Sequence, residues 1–151
     1  VITQNVDNLH ERAGSTKVLH LHGEATKVRP EDGEYDRSYS EKEVIDIGYD
    51  EVHLGDNAPN GSQLRPHIVF FGEAVPNIEK AIDIVSAADI MLIVGTSLNV
   101  YPAAGLYRYA PNGIPIYLID PEDVAIADPR ITQIHQVATK GMETFRRMLG
   151  Q

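Results

Sequence analysis

Five consecutive positions, Ile90-Met91-Leu92-Ile93-Val94, carry only apolar side chains. A strand with one wet face alternates, so a run that is apolar throughout points to a parallel strand covered on both faces. Parallel strands need long crossovers, and the flanking segments supply them. Ile78, Ala81, Ile82 and Val85 recur at helical spacing and predict an amphipathic helix over 76–88. Ile68-Val69-Phe70-Phe71 reads as a buried strand ending at Gly72; 114–119 and 134–138 read as further strands, and 142–149 as a closing helix. Strands alternating with helices imply the α/β class: a doubly wound, Rossmann-like parallel sheet with ligands at the carboxyl ends of its strands.

The start of the chain is denser in chemistry. Thr3-Gln4-Asn5-Val6-Asp7-Asn8-Leu9-His10 is followed by Ala13-Gly14 and then by Val18-Leu19-His20-Leu21-His22-Gly23. A short helix over 6–13 should stop at Gly14, and alternation predicts a strand over 17–22 with His20 and His22 on one face. Val1-Ile2-Thr3 reads as the end of a buried strand, so a fragment of a longer fold is expected. Residues 24–65 are polar and turn-rich, as in Asp56-Asn57-Ala58-Pro59-Asn60-Gly61-Ser62, and read as a small module inserted into a domain made of 1–23 and 66–151. Within it Ser40-Glu41-Lys42-Glu43 has the hydroxyl-to-Glu spacing of a helix start, predicting a helix through Val44, Ile45 and Ile47.

At 151 residues the chain can bury a sizeable core without disulfides, and it has no cysteine with which to make one. The lack of thiols also removes thiol nucleophiles and thiolate zinc sites. A net charge of −9 argues against a nucleic-acid binder, which needs clustered Lys and Arg. No stretch approaches the roughly 20 apolar residues of a membrane span, so no membrane partner and a cytoplasmic location are expected.

On a parallel sheet, Gln4-Asn5-Val6-Asp7, His22-Gly23, Gly72-Glu73, Gly95-Thr96-Ser97 and Asp120 would gather along one glycine-rich polar edge. Gly95-Thr96-Ser97 offers backbone N–H groups and hydroxyls to a phosphate, or is an ordinary strand-to-helix turn. His22 has the chemistry of a general base near neutral pH; the alternatives are a structural histidine or, with His20, part of a metal site. Asn5 and Asp7 can hold a ribose and a carboxamide, or cap a helix. Val69, Phe70, Phe71 and Val100 suit a core as well as a site.

Taken together, Thr3 to His10, Ala13-Gly14, Leu21-His22-Gly23, Arg65-Pro66, Phe71-Gly72-Glu73 with Pro76, and Gly95-Thr96-Ser97-Leu98 with Val100 and Pro102 resemble the sirtuins, in that family's order. The resemblance implies NAD-dependent removal of acyl groups from protein lysines, releasing nicotinamide and O-acyl-ADP-ribose. It implies catalytic roles for His22, as the base, and for Asn5. Gln4 and Asn5 would hold the ribose and order water, and Val6 and Asp7 would line the nicotinamide pocket. Gly95, Thr96 and Ser97 would meet the phosphate and ribose side of NAD, with Asp120 on the adenosine side. Ile68, Val69, Phe71 and Val100 would enclose the acyl-lysine of a peptide or protein substrate.

Three departures accompany the resemblance. The family's zinc module uses two cysteine pairs within 24–65, and this chain has none, so no structural zinc is expected and the module must be held by packing or stay mobile. His20 stands where an acidic residue commonly precedes Leu-His-Gly. The family's glycine-rich NAD loop falls upstream of Val1, so an incomplete grip on NAD is expected, with the residues that select the acyl chain mostly upstream too. Two other functions stay open: mono-ADP-ribosyl transfer, and a non-catalytic module binding ADP-ribose or an acyl-peptide. A metal hydrolase built on His20 and His22 is a third.

Overall fold

A computed structural model describes residues 1–31 and 43–150. The chain divides into two compact units, Val1–Ile78 and Glu79–Gln151.

In the first unit β1 (Ile2–Thr3) and β2 (Leu19–His20) pair in parallel, with Thr3 opposite His20. Between them α1 (Leu9–Arg12) is a single turn. It is shorter than the helix expected over 6–13 because Asp7 Oδ1 accepts the Leu9 N–H at 3.0 Å, a side-chain turn that keeps Asp7 and Asn8 outside it. The strand expected over 17–22 is likewise cut to two residues. The chain turns at Gly23 (φ +81°) into β3 (Gly23–Pro30), and a Cβ at Gly23 would collide with the His67 carbonyl oxygen.

β3 is the centre of an antiparallel sheet, with β4 (Ile45–Asp46) on one side and β5 (Leu64–Ile68) on the other. Two expectations are corrected here. Ile45, predicted helical, is paired with Val28 as a strand, and the Ile47 N–H bonds the Thr26 carbonyl at 2.9 Å, so pairing with β3 overrides the local helix signal. The first three residues of that signal, Ser40 to Lys42, lie outside the described residues. The strand expected at 68–71 instead ends at Ile68 and runs antiparallel to β3, while Phe70 and Phe71 are 51% and 95% exposed. A turn closed by the Glu73 N–H on the Phe70 carbonyl, with Gly72 at φ +89°, draws these two rings off the sheet.

The second unit holds α2 (Ile78–Ser86), which begins at the division, then β6 (Met91–Val94), a 3-10 helix (Ala103–Tyr109), β7 (Ile116–Ile119), β8 (Ile131–Ile134) and α3 (Ala138–Met148). The three strands form a parallel sheet in the order β6-β7-β8. The most completely covered strand is β7, where Ile116, Leu118 and Ile119 are buried; on β6 only Ile93 is, and Val94 is exposed. The reason is position: β7 has a paired neighbour on each side, whereas β6 has one among the described residues. The strand expected at 134–138 lies at Ile131–Ile134, because the ladder to β7 begins at Ile131 and the chain has already entered α3 by Ala138. Ile119, Ile134 and Phe145 form a buried cluster in this unit, with Tyr117 meeting Phe145 edge-on at 5.0 Å. Gly141 lets α3 lie close on the sheet, since a Cβ there would strike Ile119 Cγ2. Parallel strand pairs alternating with helices make this an α/β, Rossmann-like chain that also carries the antiparallel sheet of β3, β4 and β5.

Candidate active site

The first unit carries Gln4, Asn5, Val6, Asp7 and His22 on the two chain segments that leave β1 and β2. Because these strands are parallel and adjacent, both segments emerge at the same end. His22 Nδ1 lies 3.1 Å from the Gln4 carbonyl oxygen. A carbonyl only accepts, so Nδ1 carries the proton, and in the neutral ring the lone pair is then on Nε2. His20 stands two residues earlier, with Nδ1 3.0 Å from the Asn5 carbonyl and Nε2 2.9 Å from Glu11 Oε1. Both histidines thus rest on consecutive carbonyls.

The backbone around Asn5 is held on every side. Its N–H donates to Thr3 Oγ1 at 3.1 Å, and the Val6 carbonyl accepts the Ala25 N–H at 2.8 Å. The Asn5 side chain is exposed and Gln4, Val6 and Asp7 are half-buried, so the ordered backbone presents side chains that can still reach a ligand. Asp7 performs the turn-forming role allowed for it, through one carboxylate oxygen.

Beyond β5, Ile68 and Val69 are half-buried, and the Val69 N–H donates to the His22 carbonyl at 2.9 Å. The exposed Phe71 follows on a turn anchored by Glu73. Glu73 accepts from Arg65 at 2.7 and 3.2 Å and from the Phe70 N–H at 2.9 Å, with Arg29 3.7 Å away. Partial burial works to raise the Glu73 pKa, but the bonds from Arg65 and Phe70 and the two arginine charges outweigh it and hold the carboxyl below its ordinary value. Arg65 also meets Glu31 at 3.3 Å and lies 4.7 Å over the Phe70 ring. Sequence reasoning found Arg65 only as a motif letter, and Glu73 only as a motif letter and one residue of a polar edge. Their pairing across eight residues leaves no periodic trace, and neither does the bond from Glu11 to His20.

The second unit carries the rest. Val94 stands opposite Ile119 in the parallel ladder, so Gly95 and Asp120 lie side by side at the carboxyl ends of β6 and β7, joined by the Gly95 N–H on the Ile119 carbonyl at 2.9 Å. Gly95 has φ +63°, and a Cβ added to it would meet no atom within 4 Å. Thr96 Oγ1 accepts the Leu98 N–H at 3.2 Å, the role of an ordinary turn residue, while Ser97 is exposed. Asp120 Oδ1 accepts the Glu122 N–H at 2.9 Å. Val100 is 44% exposed and its carbonyl accepts the Ala104 N–H of the 3-10 helix.

The family model described as the Sir2 family matches residues 1–102. The chain belongs to the Sir2 family. It is similar to an NAD-dependent protein deacylase of Bacteroides thetaiotaomicron, 54% identical over 150 residues, covering 99% of this chain and 63% of that protein. A second NAD-dependent protein deacylase, from Aggregatibacter actinomycetemcomitans, is 57% identical over 121 residues, covering 80% of this chain and 54% of the relative. Among solved structures, Sir2Tm bound to a propionylated peptide matches with a TM-score of 0.74 and 31% identity, covering 98% of this chain and 63% of that one. A Sir2 complex with a p53 peptide and NAD+ matches at 0.72 and 30%, covering 100% and 63%. The chain therefore spans less than two thirds of the length of these Sir2 relatives.

Among the described residues of this Sir2 chain, no group of three or more His, Asp or Glu side chains could hold a metal ion, and no helix is long and apolar enough to cross a membrane. In the metal-hydrolase reading His20 would be a ligand, but both of its ring nitrogens face protein oxygens.

Proposed function

We propose that the chain is part of an NAD-dependent protein lysine deacylase and supplies its base, part of its NAD site and contacts to the acyl-lysine. The observation that carries this reading is the bond from His22 Nδ1 to the Gln4 carbonyl, which turns Nε2 away from this contact as the ring's proton-accepting nitrogen. A histidine poised in this way, beside an amide and a carboxylate on a strand-end segment, suits a base that removes a proton from a ribose hydroxyl. The family and the deacylase relatives support the same assignment.

The residues present fit NAD. Bound NAD would supply a ribose carbon that forms a bond to the acyl oxygen as its bond to nicotinamide breaks and nicotinamide leaves. For their part, Gln4 and Asn5 offer amides to the ribose and to ordered water, and Val6 and Asp7 offer an apolar wall and an acceptor for the nicotinamide carboxamide. Gly95 leaves room for close approach, Thr96 shapes the turn, Ser97 offers a hydroxyl, and Asp120 is an acceptor for a ribose diol. Ile68, Val69, Phe71 and Val100 are assigned to the lysine stem, where each buried methylene contributes about 0.8 kcal/mol with little sequence preference. Backbone beyond β5 can pair with the peptide as an added strand.

In this reading the acyl group passes to the ADP-ribose moiety, an acyl transfer coupled to cleavage of the glycosidic bond. Residues 1–23 and 66–151 form the NAD-binding part and 24–65 the inserted module. The protein acts on acylated proteins or peptides in the cytoplasm, with no nucleic-acid or membrane partner and no zinc.

The test is full-length His22→Ala, followed by nicotinamide release and acyl-lysine loss. NAD binding should persist by calorimetry while deacylation falls by about 10²–10⁴-fold. Turnover near wild type would overturn the base assignment. Binding of ADP-ribose or acyl-peptide by wild type without nicotinamide release would favour a non-catalytic module, and transfer of label from NAD to protein would favour ADP-ribosylation.

A further inference from the structure

His20 and His22 are two residues apart and each sets Nδ1 on a backbone carbonyl, yet their rings differ in the number of partners. His22 has one acceptor partner, the Gln4 carbonyl. His20 has two, the Asn5 carbonyl and the Glu11 carboxylate, at 3.0 and 2.9 Å, and its side chain is 6% exposed. Neither partner has a proton to give. A neutral imidazole carries one N–H, so one of these contacts would then set a nitrogen lone pair against an oxygen lone pair; only the imidazolium satisfies both.

We propose that His20 works as an imidazolium, a positioning residue that clamps the Asn5 carbonyl and so holds the Gln4-Asn5 segment on which the His22 ring rests. The inference builds on the deacylase reading. His20 is itself fixed, since its carbonyl accepts Asn77 Nδ2 at 2.9 Å. With Thr3 Oγ1 on the Asn5 N–H, both hydrogen-bonding groups of the Asn5 backbone are then anchored to β1 and β2. The charged groups facing His20 are Glu11 of α1 and Glu24 of β3, both acidic, and His10 of α1 acts on Glu11.

The titration directions agree with this geometry. Burial works to lower the His20 pKa, but the bonds to Glu11 and to the Asn5 carbonyl and the acidic charges outweigh it, leaving it raised. The bond to His20 is the main cause of a lowered Glu11 pKa. The clamp is therefore complete between the two folded pKa values and opens as pH rises through that of His20.

The experiment is a ¹⁵N-histidine NMR titration of the full-length protein, run beside a pH profile of kcat, on wild type, Glu11→Gln and Glu11→Asp. At neutral pH the His20 ring should show both nitrogens protonated, and the Asn5 and Val6 amide signals should move with its midpoint. Glu11→Gln should shift that midpoint and the alkaline limb of kcat to lower pH together, with kcat about 10- to 100-fold down between the two midpoints. Glu11→Asp should restore most of both. A purely structural role would lower the melting temperature without moving the limb. A singly protonated His20 at neutral pH, or amides of Asn5 and Val6 indifferent to its titration, would overturn the clamp. Absence of deacylation in wild type at every pH would instead overturn the deacylase reading, and the amide titration would then decide the clamp alone.

Discussion

Arg65 and Glu73 face each other through two parallel bonds, Nη1 to Oε1 at 2.7 Å and Nη2 to Oε2 at 3.2 Å, with side chains only 12% and 16% exposed. The pair bridges β5 and the turn that carries Phe70 and Phe71, so the orientation of the proposed substrate loop depends on a charge pair held largely out of water. Such a bidentate pair fixes geometry as well as contributing energy.

Replacing Glu73 by Gln keeps the shape and removes the charge. It should cost about 2–3 kcal/mol, the scale of hydrogen bonds to charged groups, and weaken peptide binding more than NAD binding. Because the folded pKa of Glu73 is depressed, its contribution is fully present above the ordinary value of 4.5 and is lost as pH falls through the folded value. Urea unfolding of wild type and variant should therefore differ at neutral pH and converge in acid. A constant difference across that range would refute the assignment.

Gln63 ties together the loop before β5. Its amide nitrogen faces the carbonyls of His53, Asp56 and Leu64 at 2.9–3.0 Å, and its oxygen accepts the Gly55 N–H at 2.7 Å. Gln63→Leu should destabilise the protein by about 1–3 kcal/mol, because carbonyls and an amide lose their partner, and hydrogen exchange should quicken across 53–64. Unchanged protection there would show that these bonds carry little.

Gly23→Ala should be the most damaging small substitution near the site. The residue sits at φ +81° and its new methyl would strike the His67 carbonyl, so β3 and β5 must separate next to His22. The left-handed backbone alone costs about 1–2 kcal/mol. Thermal unfolding should show a larger loss than that, and the proposed deacylation by the full-length protein should fall with it. A variant as stable as wild type would mean the close approach is absent in solution.

Asp120→Ala tests the second unit. If the carboxylate accepts a ribose diol, NAD affinity should fall by about 10- to 100-fold, as expected for a charged hydrogen bond worth roughly 1.5–3 kcal/mol, while folding is little changed. Calorimetry with NAD measures this directly, and equal affinity would remove Asp120 from the cofactor site.

The α/β class and the family were legible in the chain itself. Helical spacing at Ile78, Ala81, Ile82 and Val85, the apolar run ending at Val94, and motifs such as Leu21-His22-Gly23 are local patterns that survive without knowledge of partners. What tertiary structure decided was everything set by pairing. Ile45 became a strand because β3 lay beside it, and 68–71 lost its place in the parallel sheet because β5 pairs antiparallel with β3. The difference in partners between His20 and His22 followed from which oxygens each ring met, the Glu11 carboxylate on one side and the Gln4 carbonyl on the other. Residue type and periodicity are properties of the chain, but a protonation state depends on neighbours distant in sequence, and only folding brings those neighbours within hydrogen-bond reach.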